Sequence, residues 1–180
     1  MNAFGRILCL LVVLSSVGSA EEFFGPRQVT VPDLGVRVEI PSGWSLRYQG
    51  EGKVQTFFLN ALSGSIRTFR FSETRMEGSP IDVAMREYRR VKNVDAGNRD
   101  VVYTIDSRGE INSWYYLHYT VNHPRLGESR GLVACASRGN GRYLVAVGEG
   151  TQARVGKRQG LKPTDVEMNT MRNLLGGIQP

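Results

Sequence analysis

Two histidines, His118 and His123, and one cysteine, Cys135, are the side chains of this chain best suited to acid–base, nucleophilic or metal chemistry. A metal needs at least a third donor. Asp106, Glu110 and Glu128 are the carboxylates that could supply one, but no spacing among them and the histidines matches a ligand motif. A cysteine nucleophile needs a base to make its thiolate. No histidine adjoins Cys135, which lies in the apolar run Leu132 to Ala136, so a buried, inert thiol is the simpler reading. Gly-x-Ser-x-Gly, His-Glu-x-x-His, a P-loop and paired Cys-x-x-Cys are missing from the sequence. Gly50-Glu51-Gly52-Lys53 lacks the spacing and the Ser/Thr of a phosphate loop and reads as a turn. The carboxylates are scattered, so no acid–base pair stands out. These residues point away from a catalytic set, with no cofactor expected. A small hydrolase centred on His118 is the alternative.

His118 shares a strand face with Trp114, Tyr116 and Thr120, while Tyr115 and Tyr119 point the other way. If both faces are covered, this is a central strand. If one is open, Trp114 and Tyr116 could line a groove for a small ligand, which is a carrier reading.

The positive charge is uneven. Arg154, Lys157, Arg158 and Lys162 fall in Thr151 to Lys162, a segment without a single acid, inside a chain of formal net charge +6. Such a loop can attract an acidic protein or an anionic envelope component; a solvated loop accounts for the same residues. Arg86, Arg89 and Arg90 form a weaker second patch. Aromatics interleaved with arginines also occur in single-strand nucleic-acid binders, but the remainder of the chain is too near neutral to support that reading.

The N-terminus has the marks of a Sec signal peptide. Arg6 is a short positive region, Ile7 to Leu14 is an apolar run too short to span a bilayer, and Gly18 and Ala20 are the small residues of a cleavage site. Cleavage after Ala20 removes Arg6 and Cys9 and no acid, lowering the net charge to +5 and leaving one cysteine. The expectation is a signal peptide over 1–20 and a single domain over 21–180, periplasmic or secreted, monomeric, with no transmembrane anchor after cleavage.

The elements that must position these side chains are well marked. In VRVEIPSGWSLRY, Val36, Val38 and Ile40 alternate with Arg37 and Glu39; after Pro41-Ser42-Gly43, Trp44, Leu46 and Tyr48 alternate with Ser45 and Arg47. Two half-buried strands around a turn must face one core. Trp44 is expected as a buried plug of that core. Glu21 to Arg27 reads as a loosely tethered lead-in and Gln28 to Val31 as a short strand. Val54 to Asn60 and Ile66 to Phe71 are further strands, whose Phe57, Phe58, Phe69 and Phe71 are expected in the core. Ser79-Pro80-Ile81-Asp82 is an N-cap with its capping partner, and Ile81, Ala84, Met85, Tyr88 and Val91 follow at helical spacing. Four strands come next, with turns at Ser107 to Glu110, Asn122 to Gly127 and Arg138 to Gly141, Asn140-Gly141 being a hairpin signal. A last helix starts at Thr164 with Glu167 as its capping partner and carries Val166, Met168, Met171, Leu174, Leu175 and Ile178, with Gly176-Gly177 ending or fraying it. Antiparallel strand runs interrupted by two helices define an α+β layered domain.

Val38 to Trp44, VEIPSGW, together with the helix after the first group of strands, the meander ending NGRYLVAV and the closing helix, resembles the PsbP/Mog-like fold family, including bacterial exported relatives of the DcrB kind. The resemblance implies a central antiparallel β-sheet with helices packed on its faces, a PsbP/Mog-like α/β/α sandwich. It also implies a mostly non-enzymatic role, in binding, assembling or stabilising protein complexes, with no universal catalytic set to carry over.

Overall fold

The computed structural model describes residues 20–49, 56–62, 66–125, 127–150 and 165–180. An eight-stranded, wholly antiparallel sheet runs through it. In chain order its strands are β1 (Ala20–Phe24), β4 (Trp44–Gln49), β5 (Thr56–Ala61), β6 (Ile66–Arg75), β7 (Val102–Ile111), β8 (Trp114–His123), β9 (Gly127–Ser137) and β10 (Arg142–Gly150). In space they lie β1-β4-β5-β6-β10-β9-β8-β7. A second sheet of three short strands, β11-β3-β2, is built from β2 (Arg27–Val31), β3 (Val36–Ile40) and β11 (Ile178–Gln179). Helices α1 (Pro80–Asn93) and α2 (Asp165–Gly176) complete the α+β domain.

The middle strands are apolar on both faces and are covered on both. On β9, Leu132, Ala134 and Ala136 join one core with Leu34, Val36, Ile40, Trp44, Phe57, Phe71, Trp114, Leu174 and Ile178. Val133 and Cys135 turn to the other, which α1 closes with Val83, Ala84 and Tyr88. The second face of the large sheet is therefore closed mainly by the small sheet, with α2 contributing Leu174 and Leu175 beside it.

The organising stretch behaves as its alternation demands, with one refinement. Val36, Val38 and Ile40 are buried and Arg37 and Glu39 exposed, and Trp44 is 7% exposed. Both strands face one core, yet β3 and β4 do not pair. β3 bonds to β2 and β11, whereas β4 bonds to β1 and β5. Pro41 to Gly43, with Gly43 at φ 79°, carries the chain from one sheet to the other across the core.

Several expectations are corrected. The lead-in is not loose: Ala20–Phe24 is an edge strand paired residue for residue with β4. The contact is close, since a Cβ on Gly25 would lie 2.0 Å from the Pro41 carbonyl oxygen. Ser107 to Glu110 is strand, not turn; the hairpin falls at Asn112, which takes φ 52°. Gly109 signals a turn in sequence, but its job is to clear the Tyr116 ring, whose hydroxyl would lie 2.9 Å from an added Cβ. On α1 the buried stripe is Val83, Ala84 and Tyr88, and Ile81 is 45% exposed, because the first turn overhangs the sheet. Phe58 is half-buried, opposite the face that carries Phe57. Ile178 leaves the helix and pairs with Val38 in β11. Thr164, the expected cap of α2, lies outside the described residues, as do residues 1–19 of the expected signal peptide.

Other local signals hold. Ser79 and Asp82 form the capping box, with the Ser79 N–H donating to Asp82 Oδ2 at 2.8 Å and the Asp82 N–H to Ser79 Oγ at 3.3 Å. Asn140 and Gly141 both take positive φ in the β9–β10 hairpin.

Candidate functional site

The side chains singled out for chemistry separate on folding. His118 and Cys135 project from opposite faces of the sheet, Cys135 into the core under α1. Burial pushes the Cys135 thiol up to about 12, so it is protonated and cannot act as a thiolate. His123 sits at the end of β8 and accepts from the Arg125 N–H at 3.1 Å through Nδ1. Among the described residues no three His, Cys, Asp or Glu side chains are placed to hold a metal ion.

Trp114 is wholly buried. Its indole N–H donates to the Ile178 carbonyl at 3.1 Å, and its ring meets Phe71 edge-on with centroids 6.2 Å apart. It is a core residue closed over by β11, so the carrier reading loses the residue it was built on. Tyr116 is half-buried and packs against the same core.

His118 lies farther along that face, where the small sheet has ended. A cleft of about 560 Å³ opens there, lined by Asp106, Ser107, His118, Thr120, Arg130, Asn169 and Arg172. Asp106 is an extra residue in β7: Ile105 opposes Tyr119, Ser107 opposes His118, and the bulge between them leaves Asp106 and Ser107 both on the cleft face. There Asp106 accepts the Thr120 hydroxyl at 2.6 Å. Burial, reinforced by the Arg172 and Arg130 cations and only partly offset by Asp106, holds the imidazole down to about 4.

His118 thus lies in a cleft beside an acid, as the hydrolase alternative needs, but two features of the cleft are poorly suited to hydrolysis. The Thr120 hydroxyl beside it donates to Asp106 and not to the imidazole, so Thr120 is not a nucleophile activated by His118. A base whose conjugate acid titrates near 4 is also poorly matched to neutral pH.

The second cleft, about 640 Å³, lies on the opposite face at the C-terminal end of α1. Tyr103, Tyr119 and Val121 make its floor, Val91 and Val94 one wall, and Arg70 and Arg90 bring two cations beside Glu87 and Asp95, while Arg130, opposite Thr120 in the β8–β9 register, borders both clefts. The floor is rigid. Tyr103 stacks on Tyr119 at 6.2 Å, Tyr88 meets Tyr119 edge-on at 5.5 Å, and the Tyr103 hydroxyl donates to Asp95 at 2.6 Å. Tyr119 can lie flat only because residue 131 is glycine; a Cβ there would come within 2.3 Å of the ring. Val94 is 83% exposed at the mouth.

Of the arginines read as a basic patch, Arg90 lines this cleft and pairs with Glu87 at 3.7 Å. Arg86 and Arg89 are exposed on the same helix. Arg154, Lys157, Arg158 and Lys162 lie outside the described residues. Arg70, Tyr103 and Arg172 carried no motif and were not legible as site residues; only the sheet order and the position of α2 bring them in.

A large antiparallel sheet with α1 on one face and a small sheet plus α2 on the other is an α+β arrangement of the PsbP type. Among solved structures it is similar to the solution structure of cyanobacterial PsbP from Synechocystis sp. PCC 6803, with 14% sequence identity, a TM-score of 0.51 and 97% of each chain covered. At that identity the likeness is one of fold. No family model and no curated protein matches the chain. Among the described residues no helix is long and apolar enough to cross a membrane.

Proposed function

We propose that the chain is an exported, non-catalytic binding or assembly protein acting on an envelope protein or another anionic envelope component. The observation that carries this reading is the cleft at the end of α1. Aromatic side chains and arginine are the groups enriched where proteins dock, and here a tyrosine floor, an exposed valine and arginines from two elements, Arg70 of β6 and Arg90 of α1, converge. Arg86, Arg89 and Arg90 extend the positive surface along α1, and Arg154, Lys157, Arg158 and Lys162, in an acid-free stretch of the sequence, add positive charge for the same acidic partner.

Affinity capture from an envelope extract tests the reading. Replacing Arg86, Arg89 and Arg90 together with glutamine is expected to reduce the retained partner several-fold to about tenfold, because rim charges contribute modestly each. The loss should be greatest at low salt, where screening is weakest. The Arg154, Lys157, Arg158 and Lys162 quadruple variant should add to it. Equal retention by wild type and both variants would remove the cationic faces from the reading.

Export has its own check. Cleavage after Ala20 leaves Glu21 to Phe24 of β1 to pair with β4, so removal of the signal is compatible with the edge strand. Intact-mass measurement of the protein from the extracytoplasmic fraction should place Glu21 first. A cytoplasmic chain that retains Met1 would take the envelope out of the proposal.

A further inference from the structure

The cleft around His118 concentrates polar chemistry that packing does not require. Four elements supply it: Asp106 and Ser107 from β7, His118 and Thr120 from β8, Arg130 from β9, and Arg172 from α2. His118 is 9% exposed, and its Nε2 is buried with no hydrogen-bond partner. Folded proteins seldom leave such a nitrogen unsatisfied, and it calls for a partner that a water, an ion or a ligand can supply. The imidazole is neutral at neutral pH and so adds no charge to the cleft. Two guanidiniums stand against one carboxylate, and Arg130 is also shared with Glu128 at 3.7 Å, so Arg172 supplies most of the excess positive charge.

We propose that this cleft binds a small organic monocarboxylate. The planar forks of Arg172 and Arg130 take the carboxylate oxygens. Rotation of the imidazole about Cβ–Cγ presents a ring nitrogen to the occupant, and the Ser107 hydroxyl closes the other side. Asp106, held by Thr120, limits the charge the cleft accepts: one negative charge is neutralised, whereas a dianion meets the aspartate. The bulge in β7 places Ser107 on the same face as Asp106; without the extra residue Ser107 would turn to the α1 face and leave the cleft without its hydroxyl. This site lies on the other face of the sheet from the α1 cleft and goes beyond the docking role proposed there.

Backbone-amide NMR of the purified protein tests it with four probes at matched ionic strength: acetate, lactate, inorganic phosphate and chloride. Acetate and lactate are expected to shift the amides of Ser107, His118 and Thr120 saturably in the millimolar range, and phosphate and chloride to leave no saturable shift. Arg172→Gln should weaken the carboxylates by at least about tenfold, the loss typical of one charge-assisted contact, while Arg99→Gln, at an exposed residue that does not line the cleft, should not. Arg172→Lys keeps the charge but loses the fork, and an intermediate loss is expected. Partner capture should be unaffected by Arg172→Gln, which separates failure of this site from failure of the docking reading. Non-saturating shifts with every anion, or an Arg172→Gln variant equal to wild type, would overturn the site. Phosphate binding in place of the carboxylates would overturn the ligand assignment.

Discussion

Trp114→Ala is expected to lower stability by about 3 to 5 kcal/mol, the range for removing a fully buried large aromatic. Two losses combine. The indole leaves a void bounded by Phe71 and the rest of the main core, and the Ile178 carbonyl loses the N–H that satisfies it. Trp114→Phe separates them, since it keeps most of the volume and loses only the hydrogen bond; it should cost about 1 to 3 kcal/mol. The damage should also reach the C-terminus, because Ile178 is the residue that pairs β11 with β3. Trp44→Ala provides the comparison. Trp44 is 7% exposed and packs on Phe69 with ring centroids 6.2 Å apart, so about 3 to 5 kcal/mol is expected there too, without an orphaned carbonyl. Urea unfolding followed by far-UV circular dichroism measures both, provided the m-value is unchanged. A cost below about 1 kcal/mol at Trp114 would mean that β11 does not close over it.

Acidification is the second large effect. His118 has its folded pKa held down to about 4, from an ordinary 6.5, chiefly by burial. Between those values the unfolded chain binds a proton that the folded chain refuses, so stability falls as the pH drops from 6.5 to 4 and the loss then levels off. Taken to completion it amounts to roughly 3 kcal/mol. Glu73 acts lower. It accepts from Arg142 at 2.7 and 3.0 Å and from Arg138 at 2.9 Å, and the Arg142 hydrogen bonds, with the charges of Arg142, Arg138 and Arg75, hold its carboxyl below the ordinary 4.5. Its contribution is present above that value and is lost as the pH falls below it. The stability curve should therefore descend first through the histidine window and then through the carboxylate one. His118→Gln should flatten the upper limb alone. A wild-type curve flat from 6.5 to 4 would show that His118 is not buried in its neutral form.

The Glu73 network also shows how strand order creates an interaction invisible along the chain. Arg138 and Arg142 flank the β9–β10 hairpin and reach Glu73 only because β10 lies beside β6. Arg138 additionally donates to the Leu34 carbonyl, which ties the hairpin to the 3-10 turn at Pro32–Leu34 ahead of β3.

Much of the fold is written in short-range patterns. The capping box at Ser79 and Asp82 and the Asn140-Gly141 hairpin depend on groups within a few residues of one another, so the residue types suffice. The same holds for the alternation of β3 and β4, since side-chain period alone assigns each residue a face. It also put His118 and Thr120 on one face of β8, which is half of the carboxylate cleft.

The errors have a common cause. Gly109 signals a turn because a glycine's freedom of φ is a local property, whereas the Tyr116 ring it accommodates comes from the partner strand. Ile81 matched the helical stripe, but which part of α1 overhangs the sheet depends on where the helix docks. Ala20–Phe24 carried no strong strand signal, and its order comes from pairing with β4.

By itself, then, the sequence determined most of the element types, the covered position of Trp44 and the α+β class, all consequences of side-chain period and local backbone preference, whereas the covering of both faces of β8 came from the tertiary structure. Only the tertiary structure decided that β3 and β4 would part into two sheets and that Cys135 and His118 would lie on opposite sides. It alone decided that Asp106 would bulge toward Thr120 and that Arg172 would arrive from a helix 54 residues beyond His118. Each of those outcomes rests on contacts between segments distant in the chain, where no local pattern records which strand edge or helix face will be the neighbour.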